Sequence, residues 1–181
     1  MPTPDARHKG KRVDNQKTTW YICYMLIRHA EKSDIPKLLD LLRQVHSLHA
    51  EIRPDIFVSD KTKFTAEQLS AMLDDEKNNI YVAVSDAGEV VGHVFYTFRD
   101  QAKPDNMHQF RSAFIDDLCV DKNARRAHIG NALFEFVKEK AKQKNCYEIV
   151  LAVWEGNDDA KAFYDKMGMK PKETLMEYIL D

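Results

Sequence analysis

Hydrophobic positions spaced three and four apart mark the first helix. Ile35, Leu38, Leu39, Leu42, Val45 and His49 share one face, Ser33 is the expected N-cap and Pro36 is tolerated in the first turn. A strand over 25–30 precedes it, and the run Arg53-Pro-Asp-Ile-Phe57 ends it. Thr65 and Gln68 form a capping box for a second short helix ending near Glu76. Residues 80–84 read as a strand, Asp86-Ala-Gly-Glu89 as a hairpin turn and 90–98 as the returning strand. A polar segment, 99–109, leads to a third strand-like run carrying Ile115, Leu118 and Val120. Asp121-Lys-Asn-Ala124 is turn chemistry, after which Ile129, Leu133, Phe136, Val137 and Ala141 trace a helix face. A buried strand over 148–153, a helix over 157–167 closed by Gly168, and a last strand near 173–180 complete the pattern. No internal repeat is present.

Composition narrows the class. The 181 residues are enough for one domain with a sizeable core, and the net charge of −2 offers no overall basic field for nucleic acid. Cys23, Cys119 and Cys146 are odd in number and lack metal-like spacing, which suits a reducing, cytoplasmic setting. No apolar run approaches the ~20 residues of a membrane span. Residues 1–19 are polar and dotted with Arg7, Lys9, Lys11, Arg12 and Lys17, but carry no apolar stretch for a signal peptide. They are expected to be a disordered extension, with Met25 an alternative start. Trp20 to Tyr24 would either add an edge strand or belong to that extension.

Chemistry concentrates where the third strand hands over to a helix. Arg125-Arg-Ala-His-Ile-Gly130 sits at a helix entrance, where free amides and a positive dipole meet two arginine side chains. Such a turn is a seat for a pyrophosphate. Val120, Arg125, Arg126, Ile129, Gly130 and Leu133, in this spacing, resemble the acyl-CoA signature of the GNAT superfamily of N-acetyltransferases, Gln/Arg-x-x-Gly-x-Gly/Ala. His128 stands where the first glycine is usual. Its amide can still donate, but a positive φ there would favour glycine. Downstream, Asn157, Ala160, Phe163, Tyr164, Gly168 and Met169 resemble the superfamily's Asn-x-x-Ala-x-x-Phe-Tyr-x-x-x-Gly-Phe/Met segment. The order of elements over 25–181 is similar to that of the same superfamily. The segment His49-Ala-x-x-Arg53-Pro-Asp-x-Phe57 also resembles bacterial members of unassigned substrate.

The resemblance implies an α/β fold with a mixed, mostly antiparallel central sheet, splayed central strands and flanking helices. It implies acetyl-CoA as co-substrate and transfer of its acetyl group to a primary amine of a small molecule, peptide or protein. Backbone groups of Leu118, Cys119 and Val120 would meet the pantetheine arm. Arg125, Arg126, Ala127, His128, Ile129, Gly130 and Asn131 would hold the pyrophosphate. Asn157 and Tyr164 lie two turns apart, ~10 Å along a helix, so Asn157 would meet pantetheine and Tyr164 would act as general acid at the sulfur. The resemblance also puts the first two helices, with His46, His49, Arg53, Asp55 and Phe57, around the acceptor, and homodimers are common in the superfamily.

The chemistry also asks for a proton acceptor, because an amine of pKa ~10.4 is almost wholly protonated at neutral pH. Where some members place a glutamate, this chain has Phe114. Asp116 is the expected base, directly or through water, with Asp117 on the opposite strand face and Glu155 a further candidate. These acids favour a cationic acceptor. No metal is expected, since His46 and His49 stand without companion ligands. A non-catalytic acyl-CoA sensor or regulatory module is the alternative; a dinucleotide-binding domain is not, lacking an early glycine-rich turn. No nucleic-acid or membrane partner is expected.

Overall fold

The computed structural model describes residues 20–22, 25–101 and 105–180, so the expected disordered extension 1–19 lies outside the described residues. Five consecutive strands form an antiparallel meander: β1 (Trp20–Ile22), β2 (Met25–His29), β3 (Asn79–Ser85), β4 (Val90–Asp100) and β5 (Arg111–Val120). A sixth, β6 (Glu148–Val150), joins β5 in parallel after a helical crossover, giving a mixed six-stranded sheet in sequence order. Trp20–Ile22 does add an edge strand, with Trp20 opposite Ile27.

Helices cover both faces. On one, α1 (Ile35–Ile52) and α2 (Ala66–Asp74) bury Leu38, Leu41, Leu42 and Leu69 against Ile80, Val82, Val84, Phe95 and Cys119. On the other, α3 (Ile129–Gln143) buries Leu133, Phe134, Phe136 and Val137 against Ile27, Ala83, Val94, Tyr96 and Ile115. Side chains of α4 (Asp158–Lys166) pack on the same cluster through Phe163 and Tyr164. Each such buried aliphatic or aromatic side chain contributes about 1.5–3 kcal/mol.

The entry to α1 differs from expectation. Ser33 lies inside a short 3-10 turn (Lys32–Asp34), and Asp34 precedes the helix. The Asp34 carboxylate accepts from the Glu31 amide at 2.8 Å and from Arg28 at 2.6 and 2.9 Å. Burial pushes this carboxyl up, but the Arg28 and Glu31 bonds outweigh it and hold it below the usual range. The Asp34 side chain makes no cap bond to α1; it closes a capping box with Glu31 on the 3-10 turn, and Asp34 precedes the helix by backbone position.

The C-terminal end differs too. β6 stops at Val150, short of the expected 153, and residues 170–180 form no strand. Leu175, Met176, Tyr178, Ile179 and Leu180 are exposed, Leu175 at 97 %. These are strand-forming side chains, but a strand also needs a neighbour to take its N–H and C=O groups. Among the described residues that segment has no such neighbour; Arg53 holds Glu177 at 2.7 Å.

Candidate active site

The sheet opens at one place. β6 pairs only with the start of β5, Ser112 to Phe114 opposite Glu148 to Val150. Beyond Phe114 the two strands part, while β5 stays paired with β4 as far as Val120 opposite Gly92. In a strand, backbone groups alternate between its two edges, so part of the 115–120 backbone faces this seam. Leu118, Cys119 and Val120 belong to the part of β5 that pairs with β4 and not with β6. Cys119 is buried, its thiol pushed up to about 12 by desolvation with the charge of Asp117 adding to it, and its Sγ lies 3.6 Å from the Leu41 carbonyl. It is a packing residue, not a nucleophile.

The turn that closes the seam is tied down from below and open above. The Asp121 amide donates to Val91 O at 2.9 Å, and its carboxylate accepts from the Asn123 amide and pairs with Lys37 of α1. Gln44 of α1 accepts from the Lys122 amide at 3.0 Å. From there the backbone alternates: Arg126 has φ 70° and His128, the N-cap of α3, has φ 57°. Positive φ at the position of the missing glycine is therefore real, and His128 adopts it at a cost of about 1 kcal/mol. A left-handed residue followed by a right-handed one, as at His128 and the helical Ile129, builds a concavity of N–H groups suited to anions. Ala132 makes the first intrahelical bond, to His128 O at 3.1 Å, so the amides of Ile129, Gly130 and Asn131 are helix-entry donors. Arg125, Arg126, Ala127 and His128 are exposed around them.

Gly130 sets the approach of α4. A Cβ there would meet the Phe163 ring at 3.2 Å, so the missing side chain lets Phe163 come close and carries its neighbour Tyr164 with it. The Tyr164 ring lies 5.0 Å from Phe163 and 6.4 Å from Phe134. Burial raises its phenol well above the usual value, and the negative charge of Asp117 adds to that. Tyr164 thus keeps its proton throughout the neutral range. Asn157 is the N-cap of α4, its Oδ1 accepting from the Ala160 amide at 3.2 Å, which leaves its amide group to face outward chemistry. Glu155 pairs with Lys161 at 2.6 Å and is 93 % exposed.

The neighbouring acids part company. Tyr96 is opposite Ile115 but Phe95 is opposite Asp117, so Asp116 is the extra residue of a β-bulge. Lys63 donates to its carboxylate at 2.6 Å and to its carbonyl at 3.2 Å, and Asp116 lines a separate depression with Met72, Asn78, Thr97 and Arg99. Asp117 is 7 % exposed and lies 2.7 Å from Nε2 of His93, which is wholly buried. Its charge acts on both Tyr164 and His49. His93 was missed by sequence reasoning; its signal was a histidine inside an otherwise apolar strand.

Beside this lies an aromatic wall. Phe57 sits 5.2 Å from both His49 and Trp154, His46 is 5.7 Å from Phe57, and the Arg53 guanidinium is 5.9 Å from the Trp154 ring. His46 Nε2 is 2.6 Å from Val58 O. Burial lowers His49 from the usual imidazole value, with Asp117 opposing. No group of three or more ligating side chains placed for a metal occurs among the described residues, and no helix among them is long and apolar enough to cross a membrane.

A mixed sheet whose parallel pair parts beside a basic helix-entry turn is the acyl-CoA N-acyltransferase fold. A family model described as the acetyltransferase (GNAT) family matches residues 42–169, and the chain belongs to that family. Among solved structures it is similar to a mutant of the BH1408 protein from Bacillus halodurans, at 31 % identity and TM-score 0.81 over 85 % of this chain and 98 % of that one. Among curated proteins it is 31 % identical over 88 residues to the uncharacterized protein YdhI of Bacillus subtilis, covering 49 % of this chain and 48 % of that protein. It is 30 % identical over 71 residues to glucosamine 6-phosphate N-acetyltransferase of Arabidopsis thaliana, covering 39 % of this chain and 46 % of that protein. The matches thus span about half the length of these curated relatives.

Proposed function

We propose that the protein transfers the acetyl group of acetyl-CoA to a primary amine by direct attack, in the cytoplasm. The observation that supports this is the end of the β5–β6 pairing after Phe114, with an exposed basic turn leading into α3 and Tyr164 packed beside the Phe163 ring that approaches Gly130 of that helix. Arg125 and Arg126 with the helix-entry amides would hold the pyrophosphate, and the free edge of Leu118 to Val120 and the Asn157 amide would line the pantetheine arm. Tyr164, kept protonated by burial, would give its proton to the departing thiolate of pKa ~8.5 as the C–S bond breaks. Of the acids weighed from sequence, Asp116 and Glu155 are each engaged by a lysine.

The acceptor would enter past His49, Phe57 and Trp154, whose rings suit an amine carried on an apolar or cationic body. A second copy of the chain would cover the exposed Leu175, Met176 and Tyr178, which favours a homodimer. Light scattering that showed a monomer at micromolar concentration would remove that part.

Calorimetry with acetyl-CoA, followed by thiol release in the presence of glucosamine 6-phosphate, lysine and tyramine, tests the reading. Binding with turnover of one amine supports it. Binding without turnover of any amine favours the acyl-CoA sensor, and no binding overturns the cofactor site.

A further inference from the structure

Three carboxylates are candidates for the proton acceptor, and their partners separate them. Asp116 and Glu155 are held by lysine ammonium groups, whereas Asp117 is held by an imidazole. The difference matters because a lysine sets a like charge against an incoming ammonium, while a neutral imidazole does not.

The His93 ring is wholly buried, with Phe95 4.9 Å away, and its Nε2 lies 2.7 Å from Asp117 Oδ1. Its other nitrogen, Nδ1, is buried and has no hydrogen-bond partner among the described residues. A doubly protonated ring would bury a charged N–H at Nδ1 with nothing to accept it. The form that fits is neutral, with its one proton on Nε2 and donated to Oδ1. Asp117 is then fixed by one oxygen and keeps the other for a second donor. His93 from β4 bonds this carboxylate, whose charge acts on His49 of α1, Tyr164 of α4 and Cys119 of its own strand. Lys63 acts on His49 in the same corner.

We propose that Asp117 takes the ammonium proton of the acceptor, and that His93 is the positioning residue that holds Asp117 for it. This rests on the acetyl-transfer reading above. The ammonium gives one proton to Asp117, and the freed nitrogen lone pair attacks the thioester carbonyl. The C–N bond forms and the C–S bond breaks as Tyr164 protonates the thiolate. The phenolate of Tyr164 recovers a proton from the acylated nitrogen, and Asp117 releases its own to solvent. An ammonium and a thioester become an amide, a thiol and one proton.

The test uses the full chain, with acetyl-CoA and whichever of glucosamine 6-phosphate, lysine or tyramine is turned over. Asp117→Asn is expected to lower kcat about 100-fold or more with acetyl-CoA binding unchanged; a loss of that size in Asp116→Asn with full activity in Asp117→Asn would assign the proton to Asp116 instead. His93→Gln, which can still donate, should keep most of the rate. His93→Phe removes the donor that favours the ionised carboxylate, so the acidic limb of its kcat/KM profile should move to higher pH. In the wild type, nitrogen-15 NMR should find the His93 proton on Nε2 and the ring neutral near pH 7, a readout that needs no variant to fold. Full activity in Asp117→Asn, or a His93 ring that is charged or protonated on Nδ1, overturns the proposal. A wild type silent towards every amine while binding acetyl-CoA instead overturns the reaction on which it rests.

Discussion

The two edges of β5 are built to opposite specifications. Along its β4 edge the ladder runs from Gly92 opposite Val120 to Asp100 opposite Arg111, with one bulge. Along its β6 edge pairing stops after Phe114. The closed edge carries the core on both faces, with Val94, Tyr96 and Phe95 buried between helix layers. The strand's unpaired end leads into the exposed arginines and the left-handed turn before α3. One strand thus joins a rigid scaffold to a slot whose backbone groups remain available, which is how a sheet can both hold a site and admit an extended ligand. The bulge at Asp116 links the two edges: it belongs to the closed ladder, yet it decides which aspartate meets His93.

Substitutions on the two sides should therefore fail in different currencies. On the closed edge, a Cβ at Gly92 would stand 2.8 Å from the Cys119 carbonyl and 3.3 Å from the Ile129 and Leu133 side chains. Gly92→Ala is expected to cost about 2 kcal/mol of stability, read as a lowered Tm in thermal unfolding. Gly130→Ala meets the Phe163 ring at 3.2 Å and Val120 at an ordinary 3.7 Å, and the helix propensity gained offsets the contact, so its stability should stay within about 1 kcal/mol of the wild type. Equal losses in the two variants would break the comparison. On the open edge, Arg125→Ala should leave Tm unchanged and weaken acetyl-CoA binding about tenfold, ~1.4 kcal/mol, with less dependence on salt. An unchanged affinity by calorimetry would remove Arg125 from the phosphate site. The smallest effect is expected from His128→Gly, which relieves the positive φ but loosens the unfolded chain, for a net gain of about 0.5 kcal/mol. A fall in Tm would show that the histidine side chain contributes more than its backbone costs.

Much of the scaffold was legible because it repeats a period. The α3 face, the Thr65–Gln68 capping box and the Gly88 hairpin all follow from local rules, and the structure has them; α1 buries Leu38 and Leu42 of its expected face but also Leu41, which lay outside it. The positive φ demanded at His128 was also foreseeable from the glycine usual there. What local rules could not supply was pairing. Strict alternation puts Asp116 and Asp117 on opposite faces, but only the register of β5 against β4 reveals that Asp116 is the bulged residue and that Asp117 shares a face with His93. Likewise 173–180 has the side chains of a strand, and a strand exists only where a neighbour accepts its hydrogen bonds. Ser33 was displaced as a cap because a 3-10 turn over Lys32–Asp34, closed by Glu31 and Asp34, comes before α1.

Acetyl transfer at the open seam, with Tyr164 as proton donor, is the claim on which the rest depends. Steady-state kinetics of Tyr164→Phe against the wild type, with acetyl-CoA and an accepted amine from about pH 6 to about 9, addresses it most directly. The expected result is a kcat lower by about 100-fold with KM for acetyl-CoA unchanged, the mark of an interaction made only as the thiolate leaves. A kcat equal to that of the wild type across that range would contradict it.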